Sequence, residues 1–119
     1  MSFDLSAITR TGGLFGPQRI LIYGVQGLGK TTFGCSFEAP ILLRTEDGAG
    51  ALDVATFPTI AASYQDICDA IQALHGEHPF RTLVLDSLDW LEPLVLAKTC
   101  GDLGIEHIED AAYGKGYVT

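Results

Sequence analysis

Four short apolar runs, each closed by polar residues or glycine, divide the chain. The first, R-I-L-I-Y-G at 19–24, is nearly continuous and ends in glycine. Without two-residue alternation, it predicts a strand buried on both faces, as in a parallel sheet. I-L-L-R-T at 41–45 and R-T-L-V-L-D at 81–86 read the same way. A-T-F-P-T-I-A at 55–61 is weaker. Pro58 cannot donate to a ladder, so this run belongs at a sheet edge or outside the sheet.

Between these runs the period changes. K-T-T-F-G-C-S-F-E at 30–38 predicts a short helix, closed before Pro40 because the residue preceding a proline resists the helical region. The clearest helix follows Ser63. Ser63 and Asp66 form an S-x-x-D capping box. Ile67, Ala70, Ile71 and Leu74 then recur on one face, and Gly76 is placed to end the helix. D-W-L-E-P-L-V-L-A-K-T-C at 89–100 predicts a third helix, with Pro93 near its first turn or kinking it, and Asp89 as its cap. From Gly101 on the pattern is loop with a helical turn. Residues 1–18, including the Gly- and Pro-rich T-G-G-L-F-G-P-Q, read as a flexible lead-in, and 19–119 as one domain. Strand and helix alternate, which predicts an α/β fold built in three layers around a parallel sheet. In such folds ligands bind at the carboxyl ends of the strands.

Composition narrows this further. With 119 residues, 47% apolar and 18% charged, the chain can build one small core but not two. No segment approaches the roughly 18 consecutive apolar residues of a membrane span, and the N-terminus lacks the basic region of a secretory signal. Cys35, Cys68 and Cys100 are far apart and odd in number, so neither a disulfide framework nor a zinc knuckle is implied. A reduced, cytoplasmic protein fits best. The net charge of −8 is a poor match for nucleic acid and argues against a broad DNA-binding face within these residues.

The chemistry concentrates after the first apolar run. Gly24-Val25-Gln26-Gly27-Leu28-Gly29-Lys30-Thr31 matches G-x-x-x-x-G-K-[ST] in full. Its glycines let the backbone fold into a nest whose N–H groups point at phosphate oxygens. Lys30 adds a point charge for the β- and γ-phosphates, and Thr31 a hydroxyl for Mg²⁺. Thr32 continues the candidate nucleotide-binding set. The alternative is a Gly-rich turn with an incidental lysine.

A phosphate loop of this kind needs an acid for the metal. Asp86 ends the run T-L-V-L-D and is placed to hold Mg²⁺ through water, or else to cap the helix that follows. Glu46 lies just past I-L-L-R-T and emerges at the same sheet edge. Two readings stand for it: a carboxylate that orients or deprotonates the water attacking the γ-phosphate, or a turn acid beside Asp47-Gly48. His75 and His78 read as helix-terminus or surface groups, and His107 stands apart in the sequence. Trp90 and Tyr64 read as packing or rim aromatics, and Cys35 as a small apolar residue.

Together, R-I-L-I-Y-G-V-Q-G-L-G-K-T-T-F, I-L-L-R-T-E-D-G-A-G-A-L-D, R-T-L-V-L-D-S-L-D-W-L-E-P-L and I-E-D-A-A-Y-G-K-G-Y-V-T resemble phage-type AAA ATP-binding proteins with a RecA-like P-loop NTPase core, the family of phage recombination ATPases. The resemblance implies Mg²⁺-dependent ATP binding and hydrolysis in phage DNA recombination or single-strand annealing. It places Glu46 as the water-activating residue and Lys30 beside it in catalysis. Implied partners are ATP, single-stranded DNA contacted through segments outside these residues, and further copies of the chain; no membrane is implied. Lys115, in Gly-Lys-Gly, matches a family feature, and a phosphate contact across a subunit interface is one reading of it. Family members continue past Y-G-K-G-Y, and one of their later strands lies between the P-loop strand and the Asp86 strand. The expectation is therefore a truncated chain with an incomplete sheet. Two other readings remain: a nucleotide-binding module without turnover, and a P-loop kinase. The chain has no asparagine, so the N-K-x-D guanine motif cannot occur.

Overall fold

The computed structural model describes residues 2–10, 12, 16–47, 50 and 52–110. Gly48 and the Y-G-K-G-Y segment with Lys115 lie outside the described residues. Three strands, β1 (Pro40–Arg44), β2 (Ala55–Thr56) and β3 (Thr82–Asp86), form one parallel sheet in the order β2-β1-β3. The short β2 lies at the edge, beside Pro58. Three helices accompany them: α1 (Lys30–Gly34), α2 (Tyr64–Ala73) and α3 (Leu88–Leu103). The result is the expected α/β fold with a parallel sheet.

Register explains the layering. Leu43 pairs with Leu85 and Leu42 with Val84, and successive residues of a strand point to opposite faces. Leu43 joins Ala61, Ile67 and Ala70 in the core, with Leu85, Leu91 and Leu94 packed against it, so α2 and α3 cover that face. Val84 looks the other way, toward α1: a Cβ built on Gly34 would lie 3.1 Å from Val84 Cγ1. Glycine at 34 thus lets α1 approach the sheet closely. Asp86, two residues beyond Val84, shares that face.

The helices begin largely where their patterns predict. Ser63 Oγ accepts from the Asp66 N–H while the Asp66 carboxylate accepts from the Ser63 N–H, completing the capping box. The helix ends at Ala73, before Gly76. α1 is shorter than the predicted 30–38: the Ser36 hydroxyl donates to the Phe33 carbonyl and closes its last turn. α3 is longer. It runs through Pro93 to Leu103, where Gly104 takes the left-handed conformation, φ 69°. Its N-cap is Ser87; Asp89 sits in the first turn, where a negative charge still favours the helix dipole.

One expectation fails. R-I-L-I-Y-G is not a strand, and Ile20, Leu21 and Tyr23 are 56%, 68% and 87% exposed. The run has no ladder partner among the described residues. Among the described residues the outer edge of β3 is unpaired, and a groove of about 870 Å³ lies between it and residues 20–24.

Candidate functional site

The loop that follows this unpaired run is built by backbone freedom at two glycines. Gly27 and Gly29 have φ of 87° and 90°, values that a side chain would strain. Gly29 ends the loop as N-cap of α1. Lys30 opens the helix and folds back: Nζ donates to the Gly24 carbonyl at 2.6 Å and the Val25 carbonyl at 2.9 Å. The ammonium is thereby held across the mouth of the loop. Gln26 and Leu28 complete the loop and are exposed.

Thr31 connects the loop to the sheet. Its hydroxyl donates to Asp86 Oδ2 at 2.6 Å. The contact follows from the layering, since Asp86 lies on the face of β3 that α1 covers. Thr32 is exposed and lines a shallow pocket with Cys35 and Asp53. Burial, aided by the nearby Asp86 carboxylate, pushes the Cys35 thiol up from its ordinary value, which keeps it protonated.

The ends of β1 and β3 are latched together. Arg44 is in register with Asp86, so Thr45 and Glu46 emerge beside Asp86 and Ser87. The Thr45 N–H donates to the Asp86 carbonyl at 2.8 Å. The Thr45 hydroxyl donates to the Ser87 carbonyl at 2.7 Å and accepts from the Ser87 N–H at 2.8 Å. Thr45 is buried, and Glu46 beside it is half-buried. Ser87 Oγ donates to Glu46 Oε2 at 3.2 Å. The two acids of T-E-D part company: Asp47 is exposed and faces Arg44 at 3.6 Å.

Lys30, Thr31, Asp86 and Glu46 are therefore placed around the carboxyl ends of β1 and β3, whereas the exposed Thr32 lines a separate pocket. Thr45 and Ser87 join the set through contacts across the sheet. In the sequence each merely adjoins an acid at the end of an apolar run, which does not reveal the contact it makes. His78 lies at the end of α2: Nε2 is 2.8 Å from the Leu74 carbonyl and Nδ1 accepts from the Phe80 N–H. Among the described residues, no three His, Cys, Asp or Glu side chains gather as a metal group. A hydroxyl and a carboxylate 2.6 Å apart instead suit a hard cation that keeps several waters and takes further oxygens from phosphate, which is the preference of Mg²⁺.

A glycine-turned loop entering a helix, joined by Thr31 to an acid at a parallel strand's carboxyl end, defines a P-loop nucleotide-binding protein. Residues 16–119 match the AAA domain family model, and the chain belongs to that family. No curated protein and no solved structure matches it. No helix among the described residues is long and apolar enough to cross a membrane.

Proposed function

We propose that the chain binds ATP with Mg²⁺ and hydrolyses it, as the RecA-like ATPase of phage DNA recombination or single-strand annealing, in the host cytoplasm. The observation that carries the hydrolytic reading is the meeting of Asp86 and Glu46 at adjacent strand ends, joined through Ser87. Lys30 would leave its loop carbonyls for the β- and γ-phosphates. Thr31 and Asp86 would hold Mg²⁺, which when bound neutralises charge developing on the phosphate oxygens. Glu46 orients the attacking water and takes up its proton. The recombination role rests on the resemblance of the T-E-D-G, D-S and Y-G-K-G-Y segments, and DNA contact is assigned to segments outside these residues because the chain carries a net charge of −8.

Glu46→Gln keeps the shape of the site and removes the base. It is expected to bind ATP normally and lose turnover, while Lys30→Ala weakens binding itself. Isothermal titration and phosphate release read the two effects, and normal turnover in Glu46→Gln would end the catalytic reading. One observation favours a binding module without turnover: the run that carries the loop, residues 20–23, has no ladder partner among the described residues and is exposed. Phosphate release by the purified, unsubstituted chain separates the two readings.

A further inference from the structure

Ser87 occupies a position where its type usually caps a helix. As N-cap of α3 it would be expected to accept a hydrogen bond from a first-turn N–H, yet its side chain makes no cap bond. The hydroxyl points the other way and donates to Glu46 Oε2 at 3.2 Å. Its backbone is gripped independently, because the buried Thr45 hydroxyl bonds both the Ser87 N–H and the Ser87 carbonyl. Backbone and side chain are thus fixed by different partners, both on the segment that follows β1.

We propose that Ser87 is the positioning residue of Glu46, and that Thr45 is the latch that holds Ser87 in place. This rests on the reading of Glu46 as the carboxylate that activates water. A glutamate on a loop turns freely about its side-chain bonds, and a base must meet the water at hydrogen-bond distance to act. Anchoring Oε2 restricts that rotation and leaves the second oxygen to receive the proton. The same peptide link ties the two halves of the site together. Asp86 accepts from Thr31 on the loop side, and Ser87 donates to Glu46 on the water side. A shift of the β3 end therefore moves the cation-holding acid and the water-orienting acid together.

The test compares Ser87→Ala, Ser87→Thr and Glu46→Gln in the full chain, reading ATP affinity, kcat, KM and the Mg²⁺ concentration that half-saturates turnover. Removing a group that orients a metal ligand costs about 10–100-fold, and a loss at the lower end of that range is taken for a group that orients the base. Ser87→Ala is expected to lower kcat by about tenfold while leaving KM, ATP affinity and the Mg²⁺ requirement unchanged. Ser87→Thr, which keeps the hydroxyl, is expected to restore kcat. A raised Mg²⁺ requirement in Ser87→Ala would overturn the proposal, because it would show that the residue acts through Asp86. Unchanged kcat in Ser87→Ala, with Glu46→Gln inactive, would overturn the positioning role alone. Normal turnover in Glu46→Gln would remove the reading of Glu46 and this proposal with it.

Discussion

Thr45 shows how much a single hydroxyl can determine at this site. It is 7% exposed, and it serves the N–H and the carbonyl of one residue, Ser87, at once. Replacing it with valine keeps the volume but strands the Ser87 N–H, while the Ser87 carbonyl keeps its bond from the Leu91 N–H at 3.1 Å. An unsatisfied buried donor or acceptor costs about 1–3 kcal/mol, and a cost of 1.4 kcal/mol corresponds to a factor of about ten in local opening. Thr45→Val is therefore expected to raise amide exchange at Ser87 by about tenfold or more, while amides in the middle of α2 keep their protection. Thr45→Ser, which retains the hydroxyl, should leave Ser87 protected. Equal protection of Ser87 in the valine variant would mean the latch contributes nothing. The exposed Lys98–Asp102 pair on α3, at 2.9 Å, contrasts with this: water competes for both partners, so its loss should leave exchange unaltered.

Among the elements, α1 and β3 set the geometry of the phosphate site through one close approach. The space between them is occupied by Val84, and a Cβ on Gly34 would come 3.1 Å from its Cγ1 and 3.8 Å from its Cγ2. Gly34→Val should push α1 off the sheet and carry Thr31 away from Asp86, lowering affinity for Mg²⁺-ATP. Gly34→Ala should have a smaller effect, relieved by Val84→Ala if crowding is the cause. Titration calorimetry on the two single variants and the double variant decides this, and additive losses would exclude the steric account. The same elements show what could be read from the sequence. β1, β3 and α2 were legible because their signals are local: continuous apolar runs and a capping box. Lys30, Thr31, Asp86 and Glu46 were legible as candidates because motif spacing and strand ends are also local. Ser87 and Thr45 were not, since their parts come from bonds spanning 41 and 42 residues. The run at 20–23 was misjudged for a related reason. Its apolar pattern reports a preference for burial in a sheet, but the strand that would satisfy it is not encoded in the run itself.

At the scale of the molecule, that unsatisfied preference dominates. The cluster of Leu43, Ala61, Ile67 and Ala70 lies on the α2–α3 side of the sheet, while the fully buried Leu42 lies with Val84 on the α1 side. On that side too, Ile20 and Leu21 are exposed across a groove from the edge of β3 that has no partner among the described residues. Unpaired strand edges and exposed apolar groups invite association, although the net charge of −8 opposes it through repulsion. These 119 residues alone are therefore expected to melt over a broad range, to bind a hydrophobic dye before melting, and to aggregate as salt screens the charge. Substituting serine at Ile20 and Leu21 should reduce dye binding while leaving the amides of β1 and β3 protected, because neither residue contributes to the core. A sharp, cooperative, monomeric melt without dye binding would show that residues 20–23 are covered in solution, and the exposed run would then not be the source of instability.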